Sequence, residues 1–323
     1  PCNINGFLQK RENLKMAIKI NGFGGGAVWL FRKHCSSLTS KVALSVAERF
    51  RRKKIISYID SFLSKREIPL FKFFMVETIN RCNGRCSFCP ANIRDEKRIL
   101  KRMEEPIFEE IIKQLKEAGW RGSFFLQVNN EPLIDSSILE RAKKVRNEMP
   151  NVKVCMITNG TLLNCDKLDQ MGECIDQIVI NDYSDKYRLS DSVKDIYKYV
   201  KKNPQKFLKV EIVINRRYDR EILTTRAGNA PNKKEKNNKI LSPCIYPFTD
   251  FIVFPDGKVG CCCNDCFEVT EMGDLNKQSI VEIWRGEKFR SFREAVGKGR
   301  QYYSFCKECD VVDAGSREKA IEE

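Results

Sequence analysis

Residues 81–90 read RCNGRCSFCP and place Cys82, Cys86 and Cys89 at C-x3-C-x2-C spacing. This stretch follows an apolar run, residues 71–78, that predicts a β-strand. The spacing lets one short loop offer three thiolates to a single soft metal centre. A [4Fe-4S] cluster with three thiolate ligands keeps one iron open, and that iron can bind a further molecule.

Three other interpretations of these cysteines compete with a cluster. Zinc usually takes four ligands from paired motifs, whereas this chain has a single histidine, His34, far away in sequence. Buried structural thiols fit a polar loop poorly. A disulfide would leave one of three thiols over, and no secretory context is evident. The pattern therefore favours an iron-sulfur loop.

The same residues resemble a known family. The cysteine spacing, Phe88 just before the third cysteine, and the lead-in ETIN at residues 77–80 are similar to the cluster loop of radical S-adenosylmethionine (SAM) enzymes. The resemblance implies that the open iron binds SAM, that Phe88 contacts it, and that one electron cleaves it to methionine and a 5'-deoxyadenosyl radical. That radical would then take a hydrogen atom from a substrate.

Composition excludes some classes of protein and suggests partners. The chain has 15 cysteines and one histidine among 323 residues, which favours metal thiolates in a reducing cytosol. No apolar run reaches membrane-spanning length. The net charge is +15, and residues 1–69 hold 14 Lys/Arg against 4 Asp/Glu, a net of +10. This basic, mainly helical arm predicts an acidic partner, such as an anionic membrane surface, or it is a solvated appendage. Nucleic acid is a less favoured partner.

From residue 70 the sequence alternates between apolar strands and amphipathic helices. This alternation predicts parallel strands with right-handed crossovers, in an α/β fold of the partial (β/α)6 TIM-barrel type. The predicted strands are residues 71–77, 123–128, 152–157, 175–181 and 207–214. The predicted helices are residues 105–118, 136–148, 165–171 and 190–202.

Polar loops follow the ends of these strands, where barrels of this type place their active sites. NNEPL at residues 129–133 resembles the glycine-glycine-glutamate motif of the family, which implies that Asn129, Asn130 and Glu131 bind the amino group of SAM. Asparagine replaces glycine here, but it tolerates unusual backbone angles. The resemblance also implies SAM contacts by three further residues. These are Thr158, Asn159 and Asn181.

Catalytic residues are harder to find from the sequence. Asp182, Tyr183 and Asp185 are candidate bases because they follow a strand end. Arg226, in the polar linker of residues 216–241, is a candidate for facing the substrate.

A second cysteine constellation lies near the C-terminus. Two short apolar strands around Pro-Asp-Gly at residues 255–257 predict a β-hairpin. With the cysteines and Ile-Trp at 283–284, it resembles the shortened SPASM domain, called Twitch, of radical SAM enzymes. The resemblance implies one auxiliary [4Fe-4S] cluster, with a zinc ribbon as the alternative. Its ligands would be Cys244, Cys262, Cys306 and Cys309. Cys261 or Cys263 could replace Cys262, and Cys266 is a further alternative.

The sequence thus predicts an arm at residues 1–69, a radical SAM barrel and linker at 70–241, an auxiliary cluster domain at 242–310 and a tail at 311–323. The predicted function is that of a radical SAM oxidoreductase that dehydrogenates a sugar-like or phosphorylated small molecule. The predicted location is the cytoplasm, with peripheral binding at the inner membrane face as an alternative. A flavodoxin or ferredoxin would supply electrons. Maturation of a ribosomal peptide is the second hypothesis, and a non-catalytic iron-sulfur or zinc protein that binds nucleic acid or membrane is the third.

Overall fold

The computed structural model describes residues 18–21, 38–93, 99–184, 188–218, 224–231 and 240–311. Nine strands and nine α-helices lie in these ranges. The strands are β1 Ile18–Asn21, β2 Phe73–Val76, β3 Ser123–Phe125, β4 Lys153–Thr158, β5 Gln177–Tyr183, β6 Glu211–Arg217, β7 Asp250–Val253, β8 Lys258–Gly260 and β9 Gly273–Asp274. The helices are α1 Leu38–Leu63, α2 Pro90–Ile93, α3 Glu105–Glu117, α4 Ile138–Glu148, α5 Cys165–Cys174, α6 Asp191–Lys202, α7 Tyr246–Thr249, α8 Ile280–Arg285 and α9 Glu287–Lys298.

All the strands form one sheet, in the order β1-β6-β5-β4-β3-β2-β7-β8-β9. Neighbours from β1 through β7 are parallel, and β7-β8-β9 is antiparallel. The five strands β2 to β6 are those predicted from the alternating pattern, and the crossovers between them carry α3, α4, α5 and α6 as expected. The predicted partial barrel is confirmed.

Alternation along β5 shows which side chains enter the barrel. Ile178 and Ile180 are fully buried on the side covered by helices, where α6 contributes Val193, Ile196 and Val200 to the same core. Asn181 and Tyr183 lie on the opposite face. Because side chains alternate along a strand, odd-numbered residues of β5 point into the barrel and even-numbered residues point at the helices.

The N-terminal arm contributes more than the predicted helix. β1 pairs in parallel with β6, with Ile18 opposite Ile212, and so covers an otherwise open edge of the barrel sheet. The sequence predicted no strand in this segment, because four residues carry too short an alternation to be recognised. The last turns of α1 pack on the domain that follows: Ile59 and Phe62 are buried, and the Phe62 ring meets Phe248 edge-on at 5.3 Å.

The C-terminal hairpin is continuous with the barrel. β7 and β8 form the predicted hairpin, but β7 also pairs in parallel with β2 over four residues, from Phe73 opposite Asp250 to Val76 opposite Val253. After the hairpin the chain forms two helices, α8 and α9, separated at Gly286. A Cβ at Gly286 would lie 2.7 Å from the carbonyl oxygen of Glu282, so this break needs glycine.

Across the described ranges, no helix combines the length and the apolar character that crossing a bilayer requires.

Candidate active site between two cysteine clusters

The three cysteines of the first loop lie just beyond the carboxyl end of β2. Cys82, Cys86 and Cys89 are each partly exposed. The backbone N–H of Gly84 donates to Cys82 Sγ at 3.3 Å, and Cys89 N–H donates to the Cys86 carbonyl at 3.0 Å. Backbone N–H groups that point at sulfur stabilise thiolate charge. Three thiols in such a loop fit a cluster with one open iron.

The loop is held against the ends of other strands. The Phe88 ring packs on Tyr183 with centroids 5.4 Å apart, which joins the loop to the end of β5. Asn83 accepts from Asn159 Nδ2 at 2.8 Å and donates to Thr161 Oγ1 at 2.8 Å, which joins it to the turn after β4. Residues that the sequence placed at three strand ends therefore meet here.

Glu131 is the most constrained acid at this rim. Its carboxylate accepts from Thr158 Oγ1 at 2.6 Å, from Asn159 N–H at 2.7 Å and from Leu133 N–H at 3.2 Å, and the residue is 2 % exposed. Burial raises the pKa of the Glu131 carboxyl, although these three donors act in the opposite direction. Glu131 thus fixes the second and third loops relative to each other.

The two asparagines that replace the family glycines also make structural contacts. Asn130 Oδ1 accepts from Val128 N–H at 3.1 Å, and Asn129 N–H donates to Glu77 Oε2 at 3.0 Å. The side-chain nitrogens of both asparagines are buried without a hydrogen-bond partner. Glu77, which is 1 % exposed, was not predicted as a site residue. Its two-residue alternation with buried Phe73 and Met75 is the signal that places it inside the barrel.

The candidates on β5 divide between the two faces of the sheet. Asn181 points into the barrel, where its Oδ1 accepts from Asn215 Nδ2 at 3.0 Å. Asp182 points the other way and accepts from Ser190 N–H at 2.8 Å, next to the start of α6. The structure therefore does not bring Asp182 to the site, because strand alternation turns it toward the helices. Asp185 lies outside the described residues.

Arg226 lies between the barrel loops and the C-terminal hairpin. Its Nη2 donates to Asn129 Oδ1, to the Cys263 carbonyl at 3.0 Å and to Cys266 Sγ at 3.2 Å. Its Nε is buried without a partner. The backbone of Arg226 has φ 48°, in the sparsely populated left-handed region, which costs of order 1 kcal/mol or more. This strained backbone conformation directs the guanidinium toward the space between the two groups of cysteines.

The four cysteines predicted for the auxiliary cluster share one small enclosed cavity, here called the auxiliary cavity. Its lining is Ala227, Cys244, Tyr246, Pro247, Cys262, Asn264, Phe292, Arg300, Phe305, Cys306 and Cys309. Cys261, Cys263 and Cys266 do not line it. Cys263 packs instead against apolar side chains inside the barrel, and Cys266 contacts Arg226. Burial raises the pKa of the Cys244 thiol to about 12, so a metal must displace the proton to bind there.

In the described part of the chain, no three cysteine, histidine or carboxylate side chains are close enough together to hold a metal ion as they stand. The position of each candidate cluster site is therefore given by the backbone turn that carries its cysteines and by the residues around them. The donor chemistry, three thiols at the open rim and four around a closed cavity, fits one cluster with an open iron and one fully ligated cluster.

Comparison with known families assigns the chain to a class. Residues 76–213 match the Radical SAM superfamily, and residues 244–310 match SPASM, an iron-sulfur cluster-binding domain. The chain is therefore a radical SAM enzyme with a C-terminal SPASM-type domain, and its cofactors are SAM, the SAM-binding [4Fe-4S] cluster and an auxiliary cluster.

The individual relatives are distant in sequence. The S-adenosyl-L-methionine-dependent 2-deoxy-scyllo-inosamine dehydrogenase of Niallia circulans is 24 % identical over 252 residues, which is 77 % of this chain and 97 % of the relative. The crystal structure of BtrN in complex with AdoMet and 2-DOIA matches with a TM-score of 0.64 and 22 % identity, over 76 % of this chain and 94 % of that one. Native anSMEcpe with bound AdoMet matches with a TM-score of 0.50 and 17 % identity, over 73 % of this chain and 89 % of that one. The structural likenesses show the fold.

The Glu131 carboxylate can be tested as a SAM contact. For Glu131→Gln we expect SAM to bind about 1.5–3 kcal/mol more weakly, roughly ten- to a hundredfold, because a charged acceptor is lost. In the wild type, affinity should fall as the pH drops through the raised pKa of Glu131, since the protonated carboxyl no longer attracts an ammonium group. Calorimetric titration of the reconstituted enzyme measures both effects.

Thr158→Val is the matched control for this experiment. It removes one hydroxyl donor to the same carboxylate but keeps the charge of Glu131, so it should weaken SAM binding by only about 0.5–1.5 kcal/mol. Equal SAM affinity in Glu131→Gln and wild type, at equal iron content, would contradict a contact between Glu131 and SAM.

Iron content distinguishes Cys262 from its neighbours. We expect roughly eight irons per reconstituted wild-type chain and about four in Cys262→Ala, because the closed cluster loses a ligand. Cys261→Ala should keep roughly eight, since Cys261 does not line the auxiliary cavity. The combined change of Cys82, Cys86 and Cys89 to Ala should also leave about four. Loss of iron from Cys261→Ala with retention in Cys262→Ala would reverse the ligand assignment.

Proposed function

We propose that this enzyme oxidises a secondary alcohol of a sugar-like small molecule, such as an aminocyclitol, to a ketone. The observation that carries the proposal is the position of Arg226 between the SAM-binding loop and the auxiliary domain. A substrate at Arg226 would lie close to both cofactors. The name of the Niallia circulans relative, which acts on 2-deoxy-scyllo-inosamine, supports an aminocyclitol in that position.

The chain supplies binding groups for such a substrate. The Arg226 Nε–H and the Asn129 side-chain N–H₂ are buried donors without partners, and hydroxyl or phosphate oxygens are natural acceptors for them. Burial of these donors without a ligand costs free energy, so a ligand that accepts from them gains affinity. The bound cofactors supply the radical and a path for one electron, while the protein excludes water and orients the reacting C–H bond.

The substrate proposal has a direct assay. We expect 2-deoxy-scyllo-inosamine, incubated anaerobically with the reconstituted enzyme, SAM and a reductant, to yield a ketone together with 5'-deoxyadenosine. Arg226→Gln should lower kcat/KM by roughly ten- to a hundredfold, the effect of about 1.5–3 kcal/mol for a lost charged donor. Mass spectrometry quantifies both products.

Lys209→Gln is the control, because it removes an exposed positive charge just before β6, at the opposite end of the barrel. If 5'-deoxyadenosine formation responds to a cysteine-containing peptide and not to the cyclitol, maturation of a peptide becomes the better hypothesis.

We also propose a cytoplasmic enzyme that receives electrons from a flavodoxin- or ferredoxin-type carrier and contacts anionic membranes through α1. Helix α1 exposes Phe50 (70 % exposed) beside Arg49, Arg52 and Lys53, a combination that suits an anionic lipid surface. At low salt, the protein should co-sediment with vesicles that contain phosphatidylglycerol. Changing the three basic residues to Gln should abolish sedimentation, and equal sedimentation with neutral vesicles would contradict the contact.

A further inference from the structure

Arg300 follows a backbone turn at Gly299 that only glycine can adopt. Gly299, which ends α9, has φ 151° and ψ 152°, a backbone region essentially restricted to glycine. A Cβ at Gly299 would lie 2.8 Å from the Leu241 carbonyl oxygen. The chain then forms the short 3-10 turn Arg300–Tyr302, and Arg300 lines the auxiliary cavity. The backbone is therefore specialised at the position that delivers this guanidinium.

The guanidinium of Arg300 is buried beside sulfur. Arg300 is 4 % exposed, and its Nη1 lies 3.4 Å from the Cys309 carbonyl oxygen and 3.6 Å from Cys309 Sγ. Its Nε is buried without a hydrogen-bond partner. Among the ion pairs formed within the described ranges, none joins Arg300 to a carboxylate. A buried cation is destabilising unless an opposite charge lies nearby, so the position of Arg300 indicates an anion in the cavity.

We propose that Arg300 is a positioning residue that supplies the counter-charge for a cluster bound by Cys244, Cys262, Cys306 and Cys309, and so raises the reduction potential of that cluster. Four thiolates give the ligated cluster a net negative charge, and reduction adds one more. A cation 3.6 Å from a ligand sulfur, in a site of low dielectric, favours the more negative, reduced state.

The consequence for catalysis rests on the proposed function. Oxidation of an alcohol after loss of one hydrogen atom requires the substrate radical to lose one electron and the hydroxyl to lose one proton as the C=O bond forms. A higher auxiliary potential makes this electron loss more favourable. The electron then leaves to a one-electron carrier of the iron-sulfur or flavin class.

The test uses protein that contains only the auxiliary cluster, with Cys82, Cys86 and Cys89 changed to Ala. Its midpoint potential is measured by redox titration and electron paramagnetic resonance, without substrate. Arg300→Gln should shift the potential to more negative values, whereas Arg300→Lys, which keeps the charge, should restore most of the wild-type value. A purely structural role would leave the potential of an intact cluster unchanged in both variants.

Lys307→Gln provides the matched control. Lys307 is also adjacent to a predicted ligand, Cys306, but it is exposed, so water and salt screen its charge. Its removal should shift the potential less than Arg300→Gln does, and added salt should erase the shift. Equal midpoint potentials in Arg300→Gln and wild type would overturn the proposal, whatever the substrate assays show.

A second measurement decides the matter if Arg300→Gln assembles no cluster. In protein that carries arginine labelled with ¹⁵N in the guanidinium group, electron-nuclear double resonance of the reduced cluster should show a ¹⁵N coupling that Arg300→Lys lacks. Absence of this coupling in the wild-type arginine background would overturn the proposal.

Discussion

Parallel pairing between β2 and β7 is the constraint on which the site depends. β2 leads directly into the loop of Cys82, Cys86 and Cys89, and β7 leads into the hairpin that carries Cys262. Hydrogen bonding over four residue pairs sets the distance between the two cysteine constellations. Arg226 and Asn129 can then meet across the space between them.

Charge balance inside the molecule follows from this arrangement. Two buried guanidinium groups, those of Arg226 and Arg300, lie 3.2 Å and 3.6 Å from cysteine sulfur, and each has a buried nitrogen without a partner. Buried cations are tolerated where anions balance them. Iron-sulfur clusters and an anionic or oxygen-rich substrate would provide that balance. The two guanidinium groups therefore favour anionic groups both beside Arg226 and in the auxiliary cavity beside Arg300.

Sequence predicted the parts of this molecule that local patterns encode. The spacing of the first three cysteines, the alternation of β2 to β6 with helices, and the hairpin at residues 255–257 all depend on neighbours in the chain. The partners that make them one sheet are distant: β7 joins β2, and β1 joins β6. Parallel pairing across such separations leaves no local signature.

Within the site, the direction of each side chain determines which of the predicted residues reach the barrel interior. Asp182 lies near the carboxyl end of β5, as Asn181 does, but a shift of one residue turns it toward α6. Alternation with the apolar residues Ile178 and Ile180 carries that information. Glu131 was expected to contact a cofactor, and its carboxylate also joins two loops, which becomes visible only when Thr158 and Asn159 are placed in space.

The position of β1 has a consequence for biogenesis. β1 is synthesised before the other described strands, yet its partner β6 lies beyond the cluster loop, with Ile18 opposite Ile212. Non-local pairing of this kind forms late, and chains fold from the N-terminal end as they are made. The barrel edge thus stays open until most of the chain exists. During this interval the cysteine loop at the rim is already synthesised, so its three thiols are present before the barrel edge is paired.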